Sequence, residues 1–269
     1  VYSFPESYQE QLLARNGKYG IINQKLVYMT EAHTYQIEEQ NDIYDIYKDM
    51  IQRERLIDHF NRLPEIPFCR EFGISRGTPI DRYYIEQFLE KHKTDIRGDV
   101  LEIAENTYTM KYGQNRVSHS YILHVKGWGD NVIQGNLETG EGIEREKYDS
   151  AVLTQTLMFI FDLQKAVSNI YMMLKPGGVA LITVAGISQI SRYDQENWGS
   201  YWSFYKDSIR KLFETRFSID NIIIEQFGNV KAATAMLYGI CTDEVSDKIF
   251  KYNDPQYPVI FGIRVKKDK

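Results

Sequence analysis

The side chains best suited to chemistry crowd one stretch, residues 188–205. Ser188, Arg192, Tyr193, Asp194, Trp198, Tyr201, Trp202 and Tyr205 all fall within it. Flat aromatic faces beside a few polar and charged groups suit a sugar or another polar, planar molecule. The same cluster would also serve as an aromatic cover over a sheet edge. Ser188, Arg192, Tyr193, Trp198 and Trp202 are the expected substrate contacts. Either Asp194 or His124 upstream of it could take a proton from a bound hydroxyl. Arg76 carries a planar fork that binds a carboxylate through two parallel hydrogen bonds.

Other chemistries find no support. The five histidines (His33, His59, His92, His119 and His124) show no metal-ligand spacing, so no metal site is expected. The two cysteines, Cys69 and Cys241, sit beside apolar residues and read as small buried hydrophobes. They cannot build a disulfide framework. There is no Gly-x-Ser-x-Gly elbow and no Walker loop.

A chain of 269 residues that is 43% hydrophobic can bury one large core, or one core plus an extension. Its net charge of −5 disfavours nucleic acid as a partner. No apolar run is long enough to span a membrane. The start, Val1-Tyr2-Ser3-Phe4-Pro5, lacks a basic, apolar leader pattern, so a cytoplasmic setting is expected. The missing initiator Met is consistent with a piece of a longer protein.

These side chains need elements to hold them. Across residues 38–62, Ile43, Ile46, Tyr47, Met50, Ile51, Leu56, Ile57 and Phe60 recur near helical spacing. Leu63-Pro64-Glu65-Ile66-Pro67 breaks that pattern. The expected organisation is an N-terminal helical extension over 1–67 and a main domain over 68–269. In the main domain strands are expected over 99–104, 120–125, 131–134, 150–155, 179–184, 219–225 and 259–265. Helices are expected over 78–91, 161–174, 206–217 and 230–241. Alternating strands and helices imply a largely parallel sheet, with the ligand beyond the carboxyl ends of its strands.

Three segments in this order carry a resemblance: Val100-Leu101-Glu102-Ile103, then Tyr148-Asp149-Ser150-Ala151-Val152-Leu153, then Leu174-Lys175-Pro176-Gly177-Gly178-Val179. Together they resemble a class I S-adenosylmethionine-dependent methyltransferase over residues 70–269. Residues 72–84, 105–109 and 186–194 resemble a bacterial subgroup linked to glycosyltransferases and surface-polysaccharide genes. The resemblance implies a Rossmann-like methyltransferase fold: α/β, a mostly parallel seven-stranded sheet with helices on both faces. It implies S-adenosylmethionine as cofactor and methyl transfer to a hydroxyl of a small molecule or glycan, with a glycosyltransferase as a partner. A binding module of the same fold without methyl transfer, its cleft filled by Tyr108 or Met110, is the alternative, as is a domain of a polysaccharide-assembling glycosyltransferase.

The resemblance also implies cofactor contacts from Arg76 (to the methionine carboxylate), Glu102, Ala104, Asn106, Tyr108, Asn136, Leu137, Thr154 and Gln155. The sequence departs from the family at the first strand. The turn Glu102-Ile103-Ala104-Glu105-Asn106-Thr107-Tyr108 holds no glycine, and the next one is Gly113. About 14 residues separate Ala104 from the next expected strand, which leaves little room for the usual cofactor-binding helix. His124 and Lys126 stand where an acidic residue normally grips the ribose. Asn136 stands where an adenine-contacting Asp often lies.

Overall fold

The computed structural model describes residues 18–22, 25–29, 34–36, 52–127, 129 and 131–269. The chain divides into two compact units, Val1–Glu65 and Ile66–Lys269. Within the first, β1 (Lys18–Ile22), β2 (Lys25–Met29) and β3 (Thr34–Gln36) form an antiparallel sheet. Helix α1 covers residues 52–61. In the extension expected to be helical, strands paired over 18–36 accompany this helix. The part of the expected helix over 38–51 lies outside the described residues.

The second unit is built on seven strands: β4 (Gly98–Ile103), β5 (Val117–His124), β6 (Val132–Gln134), β7 (Tyr148–Thr154), β8 (Leu174–Ala185), β9 (Ile222–Phe227) and β10 (Ile260–Lys266). Their spatial order is β6-β5-β4-β7-β8-β10-β9. The pairings from β6 to β8 are parallel. β10 runs antiparallel between β8 and β9. The strand order turns around at the neighbours β4 and β7, which is where an open α/β sheet leaves a crevice.

The central strands β4, β7 and β8 are buried on both faces, as parallel strands inside a sheet require. Along β4 and β7 the side chains alternate between two cores. Leu101, Ala151 and Leu153 join one with α3 (Leu163–Met173) and α5 (Lys206–Phe213). Val100 and Val152 join the other with α2 (Ile80–Lys91) and α6 (Val230–Leu237). A side chain at Gly262 would meet the Phe88 ring at 2.4 Å, so glycine lets α2 settle against β10. Helix starts are capped locally. Asp162 accepts from the Lys165 amide, and Asn229 accepts from those of Lys231 and Ala232.

The first crossover is the unusual one. Between β4 and β5 the chain makes one π turn, Thr109–Gly113, followed by a 3-10 turn, Gln114–Arg116. The short spacing read from the sequence has this consequence: the helical segment between these two strands is confined to residues 107–116.

Candidate functional site

A cavity of about 630 Å³ opens beyond the carboxyl ends of β4, β5, β6 and β7. Its size suits a cofactor with room for an acceptor. Four strand ends form its floor: residues 102–105, 123–125, 135–138 and 154–156. A second wall comes from Phe159, Ile160 and Phe161, from Asp194, Asn197 and Trp198, and from Tyr201. Asp194, Asn197 and Trp198 lie three and four residues apart on α4 (Arg192–Trp198), hence on one helix face.

The floor is shaped by backbone strain. Ala104 has φ 66°, a left-handed conformation that glycine takes without cost. The Glu105 amide donates to the Ile103 carbonyl (2.8 Å), closing a three-residue turn around Ala104. The turn forms because the Ala104 amide is held by the Leu123 carbonyl of β5 at 3.0 Å. Gln155 has φ 49°. Its amide donates to the Thr183 carbonyl at 2.9 Å, and its side-chain amide reaches the Thr183 hydroxyl at 3.4 Å.

Glu102 ends β4 and is only 2% exposed. One carboxylate oxygen accepts from the Tyr108 amide at 3.1 Å, the other from the Thr109 amide at 2.6 Å. It thus satisfies donors that open the π turn. Burial pushes its carboxyl pKa up, and these hydrogen bonds oppose that shift.

The wall is acidic. Glu102, Glu105, Glu138 and Asp194 line it, and among the described lining residues there is no Lys or Arg. Glu138 is anchored where one of its carboxylate oxygens accepts from the Asp162 amide at 2.9 Å. The Asp194 carboxylate has no hydrogen-bond partner among the described residues. Trp198 packs edge-to-face with His124 at 6.1 Å, and the Lys126 ammonium stands 5.6 Å from its ring centre. Phe161 meets Tyr201 edge-on at 5.4 Å.

Of the expected cofactor contacts, Glu102, Ala104, Asn136, Leu137, Thr154 and Gln155 line this cavity; so do Asp194, His124 and Trp198. Others lie elsewhere. Arg76 is not in the wall: its guanidinium pairs with Glu244 at 2.7 Å and donates to the Gly239 carbonyl. Asn106 turns away and donates to the Ser120 hydroxyl at 3.1 Å. Tyr108 packs into the second core, stacked with Tyr112. Burial raises its pKa to about 12. Met110 is 58% exposed, and neither Tyr108 nor Met110 fills the cleft. Arg192 pairs with Glu196 one helical turn on, Tyr193 is exposed, and the Ser188 hydroxyl donates to the Gln189 carbonyl. The Trp202 indole donates to the Ile160 carbonyl at 3.0 Å, fastening the aromatic loop to the cleft rim.

Sequence reasoning missed Glu138, Asn197 and residues 159–161. Glu138 sits two residues beyond Asn136, whose side-chain oxygen accepts from the Glu138 and Thr139 amides. That Asx turn was the one legible signal. Asn197 could have been found from the i+3 spacing to Asp194.

A methyltransferase-domain family model matches residues 82–182, the segment holding β4 to β7 and most of β8. No curated protein matches the chain. Solved structures are similar in fold at low identity. A SAM-dependent methyltransferase from Archaeoglobus fulgidus has a TM-score of 0.46 at 12% identity, covering 70% of this chain and 94% of that one. The N-methyltransferase NodS from Bradyrhizobium japonicum WM9, bound to S-adenosyl-L-homocysteine, has a TM-score of 0.46 at 14%, covering 72% and 90%. A methyltransferase from Mesorhizobium loti has a TM-score of 0.45 at 11%, covering 70% and 98%.

The strand order and the matched domain support an S-adenosylmethionine-dependent methyltransferase with that molecule as cofactor. The side chains present fit it. Carboxylates without lysine or arginine suit a ligand bearing sulfonium and ammonium charges. Leu123, Leu137 and Ile160 supply apolar surface for a purine. Among the described residues no helix is long and apolar enough to cross a membrane, and no cluster could hold a metal ion.

Proposed function

We propose that the Ile66–Lys269 unit transfers a methyl group to a hydroxyl of a small molecule or sugar, and that this acceptor lies against α4. The observation that carries the reading is one cavity with two unlike walls. Strand ends with strained turns form one; Asp194, Asn197, Trp198, Phe161 and Tyr201 form the other.

Glu102, Glu105, Asn136, Leu137, Thr154 and Gln155 would hold the cofactor. When bound, it supplies an electrophilic methyl group. The remaining work falls to positioning and proton removal. Asp194 takes the hydroxyl proton, its carboxylate being uncommitted within the cavity. The Trp198 and Tyr201 faces orient the acceptor ring and help exclude water. The glycan acceptor and a glycosyltransferase partner are supported by the subgroup resemblance over 72–84, 105–109 and 186–194, together with this aromatic wall.

Incubation with methyl-labelled S-adenosylmethionine and a panel of neutral, aminated and acidic sugars and phenols tests the proposal. Label is expected in a hydroxylated acceptor, with Asp194→Asn lowering turnover by about 10²–10⁴. Label in an amine alone, or undiminished turnover in that variant, would overturn it.

A further inference from the structure

We infer that His124 serves the cleft as a hydrogen-bond donor through Nε2, and not as a base. The inference rests on the proposed methyltransferase reading of the cavity, but its chemistry is set by one contact. The Lys126 backbone N–H donates to His124 Nδ1 at 3.1 Å. A backbone amide can only donate, so Nδ1 uses its lone pair to accept and carries no hydrogen. The ring's hydrogen then sits on Nε2.

Three constraints hold the ring in this state. His124 is the last residue of β5, paired in register with Gln134 of β6. The Lys126 amide grips one edge of the ring. Trp198 packs edge-to-face with it at 6.1 Å, at an interplanar angle of 87°. Nε2 has no hydrogen-bond partner among the described residues, and the residue lines the cavity. An N–H that no protein group engages, on a residue lining the cleft, can donate to an oxygen lone pair on the ligand. This strand end therefore offers a donor where a carboxylate would offer an acceptor. Proton removal is left to Asp194 on the facing helix. The oxygen that His124 meets belongs either to the cofactor's ribose or to the acceptor; both present hydroxyl lone pairs.

The tautomer is readable without any ligand. Nitrogen-15 NMR of the ligand-free wild-type protein at pH 8 should show His124 Nδ1 as a bare, pyridine-like nitrogen and Nε2 as a protonated, pyrrole-like one. The reverse assignment overturns the inference. Binding is then read by calorimetry with S-adenosyl-L-homocysteine. His124→Gln, which carries an amide N–H at the reach of Nε2, should stay within about threefold of wild type. His124→Leu should lose about tenfold.

If both variants bind this ligand as wild type does, the acceptor is the partner. The loss then shows in KM for the acceptor in His124→Leu and is restored in His124→Gln. Equal losses in the two variants, or no change in either quantity, overturn the donor role. Absence of S-adenosyl-L-homocysteine binding by the wild type would sink the methyltransferase reading itself, a result separate from the tautomer.

Discussion

Ala104 and Gln155 share one left-handed backbone conformation, φ 66° and 49°, at the carboxyl ends of the adjacent parallel strands β4 and β7. Both line the cavity. Non-glycine residues held this way are costly and gather at functional sites. The strain lies where the strand order reverses, so the chain bends sharply at the place a ligand must approach.

Relief of that strain is measurable. Ala104→Gly removes the Cβ from a positive-φ position, worth about 1–2 kcal/mol. It also loosens the unfolded chain by about 0.4–1 kcal/mol. The variant is expected to be more stable by about 0.5–1 kcal/mol in urea denaturation, and its cleft floor should be wider. Ala104→Val places a branched side chain at the same φ and should be destabilised. Equal midpoints for all three proteins would show that the turn is not strained.

Glu102 is predicted to be structural before anything else. Glu102→Ala leaves the buried Tyr108 and Thr109 amides without their acceptor and should cost about 3 kcal/mol or more. Burial holds the folded carboxyl above the ordinary glutamate value of about 4.3. Between the unfolded and folded values only the folded chain keeps the proton. Stability therefore falls as pH rises through that window and is level above it. Glu102→Gln should remove the fall, as denaturant midpoints from pH 4 to 8 would report.

Glu244 has the opposite sign. Arg76 and the Cys241 amide hold its carboxyl down to about 2. In the unfolded chain it ionises near 4.3. The stabilisation is complete above that value and is lost as pH falls toward 2. Wild type should lose more stability than Glu244→Gln between pH 5 and 2, with the gap closing in 1 M salt. Parallel curves would mean that the ion pair contributes nothing.

The aromatic rim should govern the acceptor and leave the cofactor alone. Phe161 is 65% exposed and Tyr201 48%, yet they meet edge-on at the cavity mouth. Phe161→Ala is expected to raise the acceptor KM about 3- to 10-fold. Affinity for S-adenosyl-L-homocysteine should be unchanged. A shift in that affinity alone would place the rim on the cofactor side.

The centre of the sheet was legible because β4, β7 and β8 are buried on two faces. Val100 with Leu101, and Val152 with Leu153, fill opposite cores from successive positions, and such runs stand out in a sequence. The cavity floor followed from knowing which strand ends to read. What could not be read depended on partners distant in the chain. Arg76 looked free to bind a carboxylate, but Glu244 lies 168 residues away and claims it. Trp202 looked like a ligand platform, but its indole is bound to the Ile160 carbonyl. Asn106 looked like a cofactor contact, but Ser120 holds its amide. The N-terminal strands escaped because helical spacing over 38–62 was carried back over the whole extension.

Titration of S-adenosyl-L-homocysteine into the protein tests the central claim most directly. One molecule per chain with micromolar affinity is expected, lost when Thr154→Trp fills the cavity floor. No heat at millimolar ligand, or affinity that survives that substitution, would contradict a cofactor seated beyond the ends of β4 and β7.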